Sequence, residues 1–290
     1  MDYFYLVMAV LTCSAPSVLA GYYNKTNANK LGASNLYSLL RMAGALFCWL
    51  VIFLIEPSFE ISVLPYSILF GVFYAVSLIG YVNAIRLGSV VLTALMMQLS
   101  LIFVPIWGFL FWSQSFDILS IIGIILCVVS MSLCLVDGKK DSNVKVSAKW
   151  LIFAMMGLIG CAGCAIVQRT QQMKFNGEHA NMLMIFGMAI SLIFCWIIYV
   201  RKDRADVPKI LRSYSVGIPI IDGVLNFLHN LFVIFLAISI ISPTVIYPTI
   251  AVGTLALSSI FSVVFFKEKL RWWQWFGMIL GAIAVTLLSI

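Results

Sequence analysis

The chain has 290 residues, of which 63% are hydrophobic and 10% are charged, and its formal net charge is +7. A soluble domain carries roughly 25% charged residues, so this composition excludes an ordinary soluble enzyme. The apolar residues come in runs long enough to cross about 30 Å of hydrocarbon as helices, which predicts an integral membrane protein.

Ten membrane-spanning helices are predicted in chain order. The first five cover residues 3–22, 36–55, 65–86, 89–112 and 118–136, and the other five cover residues 150–172, 180–200, 214–239, 242–266 and 272–289. The first run has neither a basic leader nor a cleavage site, so we interpret it as a retained span rather than a signal peptide. The lysine-rich segment 138–149 is the predicted polar linker between an N-terminal half, residues 1–137, and a C-terminal half, residues 150–290.

The last two predicted spans of the N-terminal half resemble the last two of the C-terminal half in sequence. Gly88–Val136 and Ser242–Ile290 align at a constant offset of 154 residues, which places Trp112 on Phe266 and Gly123 on Gly277. Two halves with an odd number of spans must have opposite orientations in the membrane, and such inverted repeats are typical of secondary transporters. The predicted fold class is an all-α polytopic membrane protein with ten transmembrane helices in two inverted five-helix repeats.

The basic residues predict the orientation. Of the 18 lysines and arginines, 15 fall in one set of loops, and the positive-inside rule places that set in the cytoplasm. Both chain termini would then lie outside the cell. These basic loops account for the positive net charge, because they can anchor the protein to anionic lipid. No nucleic-acid partner is therefore expected.

One polar stripe stands out on the eighth predicted span. Asp222 is the one acidic residue well inside a predicted span, and Asn226, His229 and Asn230 share its helix face. Polar groups in lipid are costly, so the stripe should face a cavity or the protein interior. It could bind substrate and protons, or it could be a structural hydrogen-bond network. Asp222 and His229 could exchange protons, or Asp222 could pair with a cationic substrate.

Further candidates for substrate binding lie inside other spans. They are Tyr74 and Tyr81 on one face of the third span, Gln98, Trp107, Tyr247 and Arg41. Arg41 could reach the membrane surface, pair with Asp222 or bind an anionic substrate. Each of the other residues could bind substrate or could only pack against neighbouring helices.

The cysteines and the common catalytic motifs give no sign of enzymatic chemistry. Cys161 and Cys164 lie among Gly157, Gly160 and Gly163, which predicts a small-residue face for close helix packing rather than a metal or redox site. The sequence has no nucleotide-binding loop and no hydrolase or metalloprotease motif. We therefore expect no cofactor, no metal and no enzyme activity.

Three segments resemble the EamA-type family of the drug/metabolite transporter superfamily. They are the start of the ninth span, Ser242–Ile250; the turn Phe266–Arg271, followed by Gln274, Gly277 and Gly281; and the matching turn Trp112–Phe116 with Gly123, where Gln114 replaces the usual glutamate. Arg41 matches an arginine often found in the second span of this family. The resemblance implies that spans 1–4 and 6–9 enclose a central cavity and that spans 5 and 10 are peripheral. It also implies that both termini are cytoplasmic, which conflicts with the charge count.

The predicted function is secondary active transport of a small organic solute by alternating access, driven by a proton or solute gradient. An amino acid or similar metabolite, exported across the inner membrane of a bacterium by a monomer or homodimer, fits the resemblance best. One alternative is an exporter of drugs or organic cations, with Asp222 as the counter-charge. The alternative from another class is a membrane protein without transport activity, such as a lipid-handling enzyme.

Overall fold

The computed structural model describes residues 1–27, 30–87, 90–112, 118–136, 147–201, 205–266 and 272–288. Within these ranges all regular secondary structure is helical. The helices are α1 (Asp2–Asn27), α2 (Ala33–Ile55), α3 (Leu64–Leu87), α4 (Val90–Leu99), α5 (Phe103–Phe111), α6 (Ile118–Val136), α7 (Ala148–Lys174), α8 (Ala180–Arg201), α9 (Val207–Leu211), α10 (Gly217–Ala237), α11 (Pro243–Phe266) and α12 (Trp272–Leu288).

Seven stretches in the described part of the chain are long and apolar enough to cross a membrane. They fall in α1, α2, α3, α7, α8, α10 and α11, and they confirm an all-helical membrane protein. Shorter apolar stretches, Met96–Phe111, Ile118–Ser130 and Trp275–Ala284, lie where the remaining three spans are predicted. The count of ten spans stays a prediction, and most of the predicted linker, together with Gln114 and Glu268, lies outside the described residues.

The fourth predicted span, residues 89–112, contains one tighter turn. A 3-10 turn, Ser100–Ile102, joins α4 directly to α5, so the chain is helical from Val90 to Phe111. Pro105 explains this turn, because it lacks an N–H group and its ring clashes with the carbonyl four residues earlier, at Leu101.

The helices pack around a core formed by both halves of the chain. Helix α3 packs against α7 and α8, and α10 packs against α1 and α2. Helices α6 and α12 pack mainly against each other, with the exposed apolar side chains of Ile121, Ile125 and Trp275 on their outer surfaces.

Glycines allow close approach at two of these crossings. A Cβ atom at Gly80 of α3 would lie 2.4 Å from the backbone nitrogen of Gly157, and one at Gly160 would lie 2.5 Å from the backbone nitrogen of Ser77. This confirms the packing predicted for the glycines beside Cys161. A Cβ at Gly223 of α10 would lie 2.4 Å from the carbonyl oxygen of Arg41. Backbone contact therefore brings α2 and α10 together beside Arg41.

Candidate functional site

A cavity of about 180 Å³ lies between the helices of the two halves. A single water needs about 10–15 Å³ of such space, so the cavity has room for a small organic solute. Its wall is built from α1, α2, α3, α4, the 3-10 turn, α7, α10 and α11, and none of the described residues of α6 or α12 contributes to it. This agrees with the peripheral position that the family resemblance implies for α6 and α12.

Eight of the ten predicted site residues line this cavity. They are Arg41, Tyr74, Tyr81, Gln98, Asn226, His229, Asn230 and Tyr247. The faces expected to be functional on α3 and α10 therefore both point to one space. Whether these side chains bind substrate stays a prediction.

Asp222 lies behind the cavity wall, where it is fully buried. Its Oδ2 atom is 3.3 Å from Nε of Arg41, and the Tyr37 hydroxyl donates a hydrogen bond to the same oxygen. Oδ1 of Asp222 has no hydrogen-bond partner among the described residues. The carboxylate is thus held by its own protein, with Arg41 between it and the cavity.

Arg41 dominates the electrostatics of the cavity. Among the described residues that line it, Arg41 is the one with a permanent charge, and its side chain is 11% exposed. Gln98 adds a hydrogen-bond acceptor, because its Oε1 atom has no partner in the described part of the chain while its Nε2 atom donates to Sγ of Cys13 at 3.7 Å. The site can therefore bind an anionic group and, separately, an N–H donor.

The other members of the α10 stripe have partners of their own. Nδ1 of His229 lies 3.1 Å from the Ala9 carbonyl oxygen; a carbonyl only accepts, so Nδ1 is the donor. Nδ2 of Asn230 donates to the Asn226 carbonyl oxygen at 2.9 Å, and Gln168 donates to the Asn230 carbonyl oxygen at 3.3 Å. The stripe is both a hydrogen-bond network and a cavity surface, so the two interpretations do not exclude each other.

Trp107 lies away from the cavity. Its indole ring stacks on Phe111 at a centroid distance of 4.1 Å and is exposed on the outer surface. The structure therefore does not bring this residue to the other candidates.

Several cavity residues were not predicted to bind substrate. They are Thr12, Cys13 and Ser17 on α1 and Cys161 and Cys164 on α7. The two cysteines, at i and i+3, share one helix face, but their glycine neighbours indicated packing instead. Within the described ranges, no group of three or more His, Cys, Asp or Glu side chains is placed to hold a metal ion.

The fold and the site define an all-helical membrane protein with a polar central cavity. Residues 148–290 match the model of the EamA-like transporter family, which is part of the drug/metabolite transporter superfamily. One solved structure, described as "Crystal structure of protein", aligns over 99% of this chain and 95% of its own with a TM-score of 0.69 and 12% identity, a likeness of fold alone. None of the curated proteins compared with the chain matches it.

Proposed function

We propose that this protein is a secondary active transporter that exports an amino acid or a similar small metabolite by alternating access. Its place would be the inner membrane of a bacterium. The observation that carries the proposal is the cavity, which is lined by helices from both halves and contains the exposed part of Arg41 as its permanent charge. The match of residues 148–290 to a family of transporters supports the same conclusion and speaks against an enzyme.

The helix contacts support a two-repeat arrangement. Helix α3 of the first half packs on α7 and α8, and its predicted counterpart α10 packs on α1 and α2. If each helix is replaced by its predicted counterpart in the other half, the contacts of α3 become those of α10. The contacts α2–α8 and α6–α12 each join a helix to its own counterpart, so they are unchanged. A pseudo-two-fold axis between the repeats would produce this pattern, and it would let the halves rock about the cavity between them.

The wall of the cavity favours a solute with a carboxylate. A planar guanidinium binds a carboxylate through paired hydrogen bonds, and Arg41 is oriented toward the space while Asp222 is not. The Oε1 atom of Gln98 and the hydroxyls of Tyr74 and Tyr81 could accept N–H groups of the same solute. An amino acid meets both requirements, whereas an exporter of lipophilic cations would need the carboxylate of Asp222 in the wall.

A thermal-shift screen of the detergent-purified protein tests the proposal. The panel contains amino acids, nucleosides, polyamines and quaternary amines, because a ligand that binds the folded state raises Tm. We expect a rise with one or more amino acids that is smaller in Arg41→Met/Asp222→Asn, a variant without the ion pair. A rise with polyamines or quaternary amines alone would favour the cation exporter instead.

Flux in proteoliposomes separates transport from the remaining alternative. The protein, purified alone and reconstituted, should move the solute that the screen identifies. Binding without movement in either direction would support a membrane protein that does not transport.

A further inference from the structure

Arg169 of α7 is a buried cation without a counter-charge in the described structure. Its side chain is 6% exposed, and its Nε and Nη1 atoms have no hydrogen-bond partner among the described residues. None of the ion pairs formed by those residues includes it. Burying an unpaired charge in a membrane-spanning helix is costly, so a helix that keeps one needs a functional reason.

The neighbours of Arg169 are aromatic. Its guanidinium carbon lies 5.8 Å from the centroid of the Trp112 ring, a distance typical of cation–π contact. The Tyr247 hydroxyl lies close to the same guanidinium. These contacts orient the group, and no carboxylate among the described residues neutralises its charge.

Arg169 lies directly behind one end of the cavity. Gln168, the residue before it, lines the cavity, and so does Tyr247, its aromatic neighbour. A movement of this wall would therefore open the cavity onto the guanidinium.

Arg41 lies at a different level of the cavity. Its partner Asp222 precedes Asn230 by eight residues, which is about 12 Å along the axis of α10. The Asn230 carbonyl oxygen accepts a hydrogen bond from Gln168, the residue before Arg169. The two arginines thus lie at separate levels of one polar cavity.

We propose that Arg169 is a second anion site, which binds the carboxylate of the solute when the wall formed by Gln168 and Tyr247 opens. Arg41 holds the same group at its own level of the cavity, so the two openings would use different arginines. The part that Arg169 plays in transport rests on the proposed function, but the existence of the anion site does not. A ligand that binds the opened form would select that form from the ensemble.

The test uses benzoate as the anionic probe and benzamide as its neutral analogue, with Tm in detergent as the readout. Arg41→Met/Asp222→Asn removes the first arginine without leaving an unpaired carboxylate. In this background benzoate should still raise Tm by several degrees, and adding Arg169→Met should abolish the rise. Lys174→Met, which removes an exposed cation five residues further along α7, should leave the rise intact, and benzamide should have no effect.

Three results would overturn the inference. They are a benzoate rise that survives Arg169→Met, a rise that is already lost in Arg41→Met/Asp222→Asn, and no rise in any variant. Arg169→Met alone should be at least as stable as the parent without ligand, because it removes an unpaired buried charge; a clear fall in Tm would make Arg169 a structural partner. Absence of flux together with the expected benzoate pattern would reject transport and leave the anion site standing.

Discussion

Arg41 and Asp222 form a buried ion pair at a close crossing of α2 and α10. The pair sits where α2 and α10 meet at Gly44 and Gly223. The crossing of α8 and α3 at Gly187 and Gly71 is also close, and the side chains of Phe70 and Ile190 lie at that contact. A close crossing forms there without charge, so we expect that the ion pair is not needed for the geometry at Gly44 and Gly223.

Removing Arg41 alone should destabilise the protein more than removing Arg41 and the Asp222 charge together. Arg41→Met leaves the Asp222 carboxylate buried without its cation, which should cost roughly 3–5 kcal/mol of unfolding free energy. Arg41→Met/Asp222→Asn should recover most of the loss, because no charge is left. Thermal unfolding of both proteins in the same detergent measures this, and equal losses in the two variants would contradict it.

Asp222→Asn should fold and should lose the pH dependence of transport. Neutralising the carboxylate, by mutation or by a proton, releases Arg41 to bind the carboxylate of a solute in the cavity. Solute flux into proteoliposomes, measured across external pH values, tests the effect. Full pH dependence in the variant would remove Asp222 from coupling, and loss of folding would make the α10 stripe structural.

Most helices could be predicted because the length of an apolar run is a local property. Helix α6 has the predicted bounds, 118–136, and the eighth predicted span begins at the 3-10 turn Tyr214–Val216 that leads into α10. The 3-10 turn inside the fourth span could not be predicted, because the effect of Pro105 depends on how its neighbours accommodate the lost hydrogen bond.

The site was predicted where polar residues are large and sit on an otherwise apolar helix, as on α10. It was missed on α1, where Thr12 and Ser17 bond to backbone carbonyls of their own helix at 2.7 Å and so look like ordinary helical residues. In the sequence, Arg169 near the end of its span looks like one more topological charge. Its burial depends on packing against Trp112 and Tyr247, which the sequence of one helix does not reveal.

Two glycine substitutions at the contact between α3 and α7 should lower the stability of the protein by different amounts. Gly80→Ala places a methyl group against backbone atoms, 2.4 Å from the Gly157 nitrogen and 2.6 Å from the Phe153 carbonyl oxygen. Gly157→Ala instead meets the flexible end of Met97, with Cε at 2.3 Å. Gly80→Ala should lower the free energy of unfolding by about 1–3 kcal/mol. Gly157→Ala should lower it less, because the flexible methionine side chain can adopt another rotamer. Unfolding in detergent compares them, and the reverse order would show that the α3–α7 contact is misplaced.

Chemical modification of a cysteine in the cavity wall should show whether the solute passes through the cavity. A variant that keeps only Cys161, which lines the cavity, should lose flux after treatment with N-ethylmaleimide, because the adduct fills the solute's space. A variant that keeps only Cys127, buried beside α12, should retain its flux. Solute present during treatment should slow the loss in the first variant. Equal sensitivity of both variants would mean that the reagent acts by disturbing the fold.

The orientation can be decided at the two ends of α10. Ile240 follows its C-terminal end and is 99% exposed, while Tyr214 precedes its N-terminal end and is 76% exposed. The charge count puts Ile240 outside the cell and Tyr214 in the cytoplasm, because the loop before α10 belongs to the lysine- and arginine-rich set. In a cysteine-free background, Ile240→Cys should react with an impermeant maleimide on intact cells, and Tyr214→Cys should react only after permeabilisation. The opposite pattern would establish the orientation usual for the family. The basic loops would then lie outside, and the opening that faces Arg169 would be the cytoplasmic one.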